Sequence, residues 1–197
     1  MKTTSRQIFE SYGGQLRMHE ALSEGISRTQ LYALRDKGEI ELVSRGTYRL
    51  ADLPSLSNPD LVTVSLRYPK AVVCLISALS FHEITTQIPY EVSVAVPRNT
   101  TLPKLEYPPL NAHWFSGQAY SSGIETHRMD GVDVQIYSPE KTLADCFKFQ
   151  HKLGTEVVVE ALRLYKERKK NNVQELLKQA QVRRMQNVMM PYMEAVL

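Results

Sequence analysis

The run Gly25-Ile26-Ser27-Arg28-Thr29-Gln30-Leu31 constrains the fold of this chain more than any other, because it encodes a turn and the start of a helix together. Ser27 is a good N-cap residue, and Gln30 stands three positions later. That is the spacing of a capping box, in which each residue satisfies a backbone N–H of the other. Ile26 before the cap and Leu31 at the fourth helical position match a hydrophobic staple. An amphipathic segment, Arg17 to Ser23, precedes this run and ends at Gly25, which is free to take the left-handed conformation of a tight interhelical turn. Directly behind, Ile40-Glu41-Leu42-Val43 and Thr47-Tyr48-Arg49-Leu50 flank the turn Ser44-Arg45-Gly46, a hairpin with an arginine at its tip. Two short helices followed by such a hairpin predict a winged helix-turn-helix over residues 1–51.

Helical geometry then sorts the side chains. At about 100° per residue, Leu31 and Leu34 share the inward face of the second helix, while Thr29, Tyr32, Ala33 and Asp36 fall opposite, flanked by Arg28 and Arg35. Recognition helices read bases mainly with their N-terminal residues, so Arg28, Thr29 and Tyr32 are the base-edge candidates. Arg17, Arg35, Arg45 and Arg49 are cast as phosphate contacts, with Arg45 also suited to the minor groove. Asp36 is expected to point away from phosphate or to pair with a neighbouring cation.

The charge distribution supports this reading better than the net charge of +3 does. Residues 160–184 carry eight basic and three acidic side chains, whereas residues 51–159 carry eight and eleven. The basic segment spans Arg163, Lys166, Arg168, Lys169 and Lys170, with Tyr165 among them and Arg183 and Arg184 beyond. It reads either as a solvated helix face or as a surface for nucleic-acid backbone or an acidic partner.

A boundary is expected at Ala51 to Asn58, and residues 58–197 read as a second, α+β domain. Asn58-Pro59 opens a helix through about Tyr68. Strands are expected at Ala71–Leu75, Tyr90–Val96 (half-buried), Leu110–Phe115, Ile124–Met129 and Val132–Tyr137, the last two joined by Asp130-Gly131. Ser77 is the expected cap of a helix Ala78–Glu83. Helices follow over Glu140–Lys152, Thr155–Lys169 and Val173–Gln181, then a Met-rich segment broken near Pro191. The fold class is therefore α+β, an N-terminal winged helix-turn-helix followed by a mixed α/β domain ending in several helices. Cys74 and Cys146 lie far apart in apolar runs, which predicts buried reduced thiols. With no signal-peptide pattern and no apolar run near ~18 residues, a cytoplasmic protein without membrane contact is expected.

Catalytic patterns are weak. His19, His82, His113, His127 and His151 are scattered without zinc-ligand spacing, and no phosphate-cradling glycine loop is present. Asp130 is explained by its turn, and Asp145 can pair with Lys141 or Lys148. The expectation is a protein with no catalytic residues, cofactor or metal.

Two sets of residues resemble the AbiE-type antitoxins of type IV toxin–antitoxin systems. The first comprises Gly13-Gly14-Gln15-Leu16-Arg17, Ala21-Leu22-Ser23-Glu24-Gly25-Ile26, Leu31-Tyr32-Ala33-Leu34-Arg35-Asp36-Lys37-Gly38 and Ser44-Arg45-Gly46-Thr47-Tyr48-Arg49-Leu50. The second, thinner set is Ser77-Ala78-Leu79-Ser80-Phe81-His82, Val94-Ala95-Val96-Pro97 and Ser138-Pro139-Glu140-Lys141-Thr142-Leu143-Ala144-Asp145. The resemblance implies a repressor of its own operon that binds inverted repeats in double-stranded promoter DNA. It also implies a C-terminal domain that counteracts a co-encoded nucleotidyltransferase-like toxin, without an obvious stable complex. A winged-helix regulator whose second domain senses a small ligand, with no toxin partner, is the alternative.

Overall fold

The computed structural model describes residues 4–44, 46–53, 56–102 and 104–196. Its first helices each begin at a polar cap. Helix α1 (Ser5–Ser11) starts at Thr4, whose hydroxyl accepts the Gln7 N–H while the Gln7 amide oxygen accepts the Thr4 N–H. Strand β1 (Gln15–Arg17) leads into α2 (Met18–Ser23), and α3 (Arg28–Asp36) follows four residues on. The expected box at α3 is formed: Ser27 N–H donates to Gln30 Oε1 at 2.8 Å, and Gln30 N–H to Ser27 Oγ at 3.2 Å.

The turn between α2 and α3 is a Schellman motif. Gly25, at φ 87°, donates to the Leu22 carbonyl, and Ile26 N–H reaches back to Ala21 O at 2.8 Å. Gly38, at φ 73°, ends α3 in the same way through Glu39 N–H to Leu34 O, so a non-glycine residue at either position would be strained. Strands β2 (Ile40–Ser44) and β3 (Thr47–Leu50) form the wing hairpin, and β1 completes an antiparallel sheet in the order β1-β3-β2. Phe9, Leu16, Ala21, Ile26, Leu31, Ile40 and Tyr48 are buried in one core. Both members of the expected staple, Ile26 and Leu31, lie in it.

Arg17 closes strand β1, because Gln15–Arg17 pairs with Thr47–Arg49, and it is at the same time the N-cap of α2, its N–H accepted by Glu20. Helix α4 (Pro59–Arg67) groups with the first unit, which spans Met1–Pro69 with Arg128–Asp133. The reason is burial: Leu61, Val62 and Val64 leave solvent, and Arg17 donates to the Leu66 carbonyl at 3.5 Å. Asn58 supplies no side-chain cap, and Pro59 at the first position sets the helix start instead.

The second unit, Lys70–His127 with Val134–Leu197, is built on a five-stranded mixed sheet. Its strands are β4 (Val72–Val73), β5 (Val92–Pro97), β6 (Leu110–Phe115), β7 (Ile124–Met129) and β8 (Val132–Tyr137), ordered β6-β5-β4-β8-β7. Pairing is antiparallel for β4 with β5 and parallel for β4 with β8 and β5 with β6. Asp130 and Gly131 both have positive φ, as the tight β7–β8 turn requires. Strand β5 is internal to the sheet and buried on both faces, whereas its alternation suggested a half-buried strand. Helix α5 (Leu75–Phe81) starts earlier than expected, at Cys74, because Ser77 turns its hydroxyl to β5: it accepts the Ser93 N–H at 2.9 Å and donates to Glu91 O.

After the short α6 (Gln118–Ser121) and the hairpin come α7 (Pro139–Lys148), α8 (Gln150–Leu153), α9 (Thr155–Glu167), α10 (Val173–Val182) and α11 (Gln186–Val196). Helix α11 continues through Pro191, contrary to the expected break, with Met189 and Met193 buried on one side. Cys74 and Cys146 are buried and free, and burial pushes both thiols well above their usual range.

The second core contains an ionic centre. Lys141 and Asp145, one turn apart on α7, are both wholly buried, with Nζ 2.5 Å from Oδ2. Arg183 Nε pairs with the other carboxylate oxygen, and its guanidinium lies 4.5 Å from the Phe115 ring centre. Lys141 Nζ sits 4.1 Å from the centre of the Tyr137 ring. Burial pushes the ammonium of Lys141 down and the carboxyl of Asp145 up, while their mutual attraction opposes both shifts. Removing one member strands charge in a dry site. Asp145→Ala is therefore expected to lower unfolding free energy by about 3–5 kcal/mol, whereas apolar replacement of Lys141, Asp145 and Arg183 together should recover most of that loss. Urea unfolding midpoints measure both; equal destabilisation by the single and triple changes would contradict the ionic account.

Candidate nucleic-acid interface

The exposed side of α3 follows from its buried side. Leu31 is inaccessible and Leu34 packs on the same core, which leaves Arg28, Thr29, Gln30, Tyr32 and Ala33 exposed along the outer face. Three of the sequence-derived candidates, Arg28, Thr29 and Tyr32, are therefore presented together at the helix start.

The remaining arginines separate by their partners. Arg35 is held by Asp36, with Nη2 2.8 Å from Oδ1, and its guanidinium lies 5.3 Å from the Tyr32 ring centre. Asp36 thus pairs with a cation, as expected. Arg35 remains exposed and could exchange this carboxylate for a phosphate, at the loss of an exposed ion pair worth little. Arg49 is a correction: its side chain is 5% exposed and pairs with Glu41 at 3.0 Å, so it supports the wing from inside. Tyr48 and Leu50, its neighbours on β3, are buried as well. Arg45 lies outside the described residues. Among the described residues no carboxylate pairs with the Arg17 guanidinium, while the Arg17 backbone N–H is accepted by Glu20 at 2.7 Å.

The basic segment of the second unit divides likewise. Arg163, Lys166, Lys169, Lys170 and Arg184 are exposed. Tyr165, expected among them as a surface aromatic, is buried: its hydroxyl donates to Glu140 at 2.7 Å and accepts the Asn172 N–H. Arg183 is inside the ionic centre on Asp145, and Arg168 donates to the His82 carbonyl. Both are taken up by the protein's own acceptors, so the charge run overstates the free cationic surface. Lys166 Nζ donates to Val196 O at 2.5 Å.

No group of three or more His, Cys, Asp or Glu side chains among the described residues is arranged to hold a metal ion. His82 Nε2 lies 2.7 Å from Tyr137 O, and burial lowers its pKa; His113 is likewise lowered by burial and sits edge-on to Phe149. Among the described residues no helix is long and apolar enough to cross a membrane.

Three helices, the third with an exposed outer face, and a three-stranded sheet define a winged helix-turn-helix. Residues 5–51 match the family model described as "Transcriptional regulator, AbiEi antitoxin", so this segment is a transcriptional-regulator domain of the AbiEi antitoxin type. No curated protein matches the chain. The crystal structure of the RV2827C protein from Mycobacterium tuberculosis is similar in fold, with a TM-score of 0.55 and 15% identity over 93% of this chain and 75% of that one.

The sequence alone passed over α1, although its Thr4/Gln7 box was legible, and over the internal fate of Arg49. Arg49→Ala is expected to lower stability by about 1–3 kcal/mol through lost packing, while duplex affinity measured below the melting transition stays unchanged. Weakened duplex binding at undiminished stability would return Arg49 to the interface.

Proposed function

We propose that this chain is an antitoxin of a type IV toxin–antitoxin system that represses its own operon. In this reading the winged helix binds inverted repeats in promoter DNA, with Thr29 and Tyr32 toward the bases of the major groove and Arg28 at its edge. The second unit counteracts a nucleotidyltransferase-like toxin encoded beside it. The observation that carries the reading is the face of α3: an exposed N-terminal cluster, on a segment that matches the AbiEi antitoxin regulators. Non-enzymatic action fits the same picture, since repression requires only occupancy of the promoter. The exposed lysines at 166, 169 and 170 are a candidate surface for the toxin or for additional DNA backbone.

The two jobs are separable in the full chain. Tyr32→Ala with Thr29→Ala should weaken binding to the cognate promoter by about 1–3 kcal/mol per lost base contact, release a reporter from repression, and leave rescue from the downstream toxin intact. Charge reversal of Lys166, Lys169 and Lys170 tests the other arm, and rescue surviving it would exclude that surface. Loss of rescue in the Tyr32/Thr29 variant would contradict the division of labour. Full repression with no toxin gene beside this one would favour a ligand-sensing regulator.

A further inference from the structure

Three arginines of the first unit line one open cleft of about 450 Å³ beside the turn of the wing. Arg17 comes from the β1–α2 corner, Arg28 from the first position of α3 and Arg67 from the last turn of α4, with His19 and Thr47 beside them. No carboxylate is among the lining residues. The other described arginines of residues 4–69 are each held by an acid: Arg6 by Glu10 and Asp52, Arg35 by Asp36, Arg49 by Glu41. Among the described residues, none of Arg17, Arg28 and Arg67 has such a partner. Among the described arginines of residues 4–69, the three without an acid are thus the three at this cleft.

We propose that this cleft seats a phosphate of the DNA backbone and that Arg67, outside the matched segment, belongs to the interface. The inference rests on the promoter-binding reading above. Guanidiniums that line one cleft without an acid repel one another, and an anion placed between them turns that repulsion into charge-assisted hydrogen bonds. Guanidinium forks match phosphate oxygens in geometry, and they remain charged at every physiological pH. The position is the one a backbone would occupy. The first helix of a helix-turn-helix crosses the sugar-phosphate chain when the second enters the major groove, and the cleft lies along α2 beside the start of α3. The Arg17–Leu66 hydrogen bond ties the β1–α2 corner to α4, which brings Arg67 to the same anion. Arg28 then acts as a positioning contact on phosphate, and base reading falls to Thr29 and Tyr32.

The test uses full-length protein, Arg67→Gln, Arg67→Lys and the exposed control Lys104→Gln, each checked by thermal melting. Affinity is measured over a salt series for a duplex of the chain's own upstream region and for a scrambled duplex of equal length. Arg67→Gln should weaken both duplexes by a similar factor of about ten, the scale of one charge-assisted hydrogen bond. It should also reduce the salt slope by about one unit. Arg67→Lys should keep the slope, and Lys104→Gln should match wild type. An Arg67→Gln protein that melts normally and binds with unchanged affinity and slope overturns the cleft while leaving promoter binding standing. Wild type that binds neither duplex overturns both readings. Inorganic phosphate that raises the wild-type melting temperature, in a protein that ignores duplex, would assign the cleft to a free anion and contradict the backbone assignment.

Discussion

The capped turn between α2 and α3 is the constraint on which the first unit depends. Gly25 in the left-handed region closes α2, Ser27 and Gln30 open α3, and Ile26 between them is driven into the core beside Leu31. These local terms, each of order 1 kcal/mol, fix the relative direction of two helices that are individually too short to persist in water. Once that direction is set, burial of Leu31 and Leu34 decides which face of α3 remains outside. The presentation of Arg28, Thr29 and Tyr32 is thus a consequence of capping chemistry and core packing, with no contribution required from a bound partner.

Pairing, more than net charge, distinguishes the cations of this protein. Arg49 and Arg183 are consumed internally, by Glu41 and by Asp145. Arg6 and Arg35 carry exposed partners that salt or a competing anion can displace. Among the described residues, Arg17, Arg28 and Arg67 have no acid partner. The same logic explains the Ser138–Asp145 motif of the second unit: Ser138 caps α7, Thr142 donates to the Tyr137 carbonyl, and Lys141 and Asp145 meet one turn apart in a dry core. Its polar residues are structural. They hold α7 against the sheet.

Legibility in the sequence tracked the range of the interaction. The box at Ser27, the glycine turns, the Asp130-Gly131 hairpin and the α9 and α10 helices are specified by neighbours within a few residues, and each was readable. What was not readable depended on distant partners. Gln15–Arg17 is a strand only because β3 lies alongside it, Ser77 forgoes a cap because β5 offers better bonds, and Pro191 is carried by packing around Met189 and Met193. The same holds at the interface. Spacing placed Thr29 and Tyr32 on the outer face of α3, but could not show Arg49 turned inward, Tyr165 buried or Arg67 drawn in from α4.

Backbone amide resonances of the full-length protein, followed during titration with its own promoter duplex, test the central claim most directly, because they report contact residue by residue without altering any side chain. The account places the largest perturbations at Arg28–Tyr32, with a second set at His19, Thr47 and Arg67. Perturbations confined to residues 70–197, with α3 unmoved at saturating duplex, would contradict it.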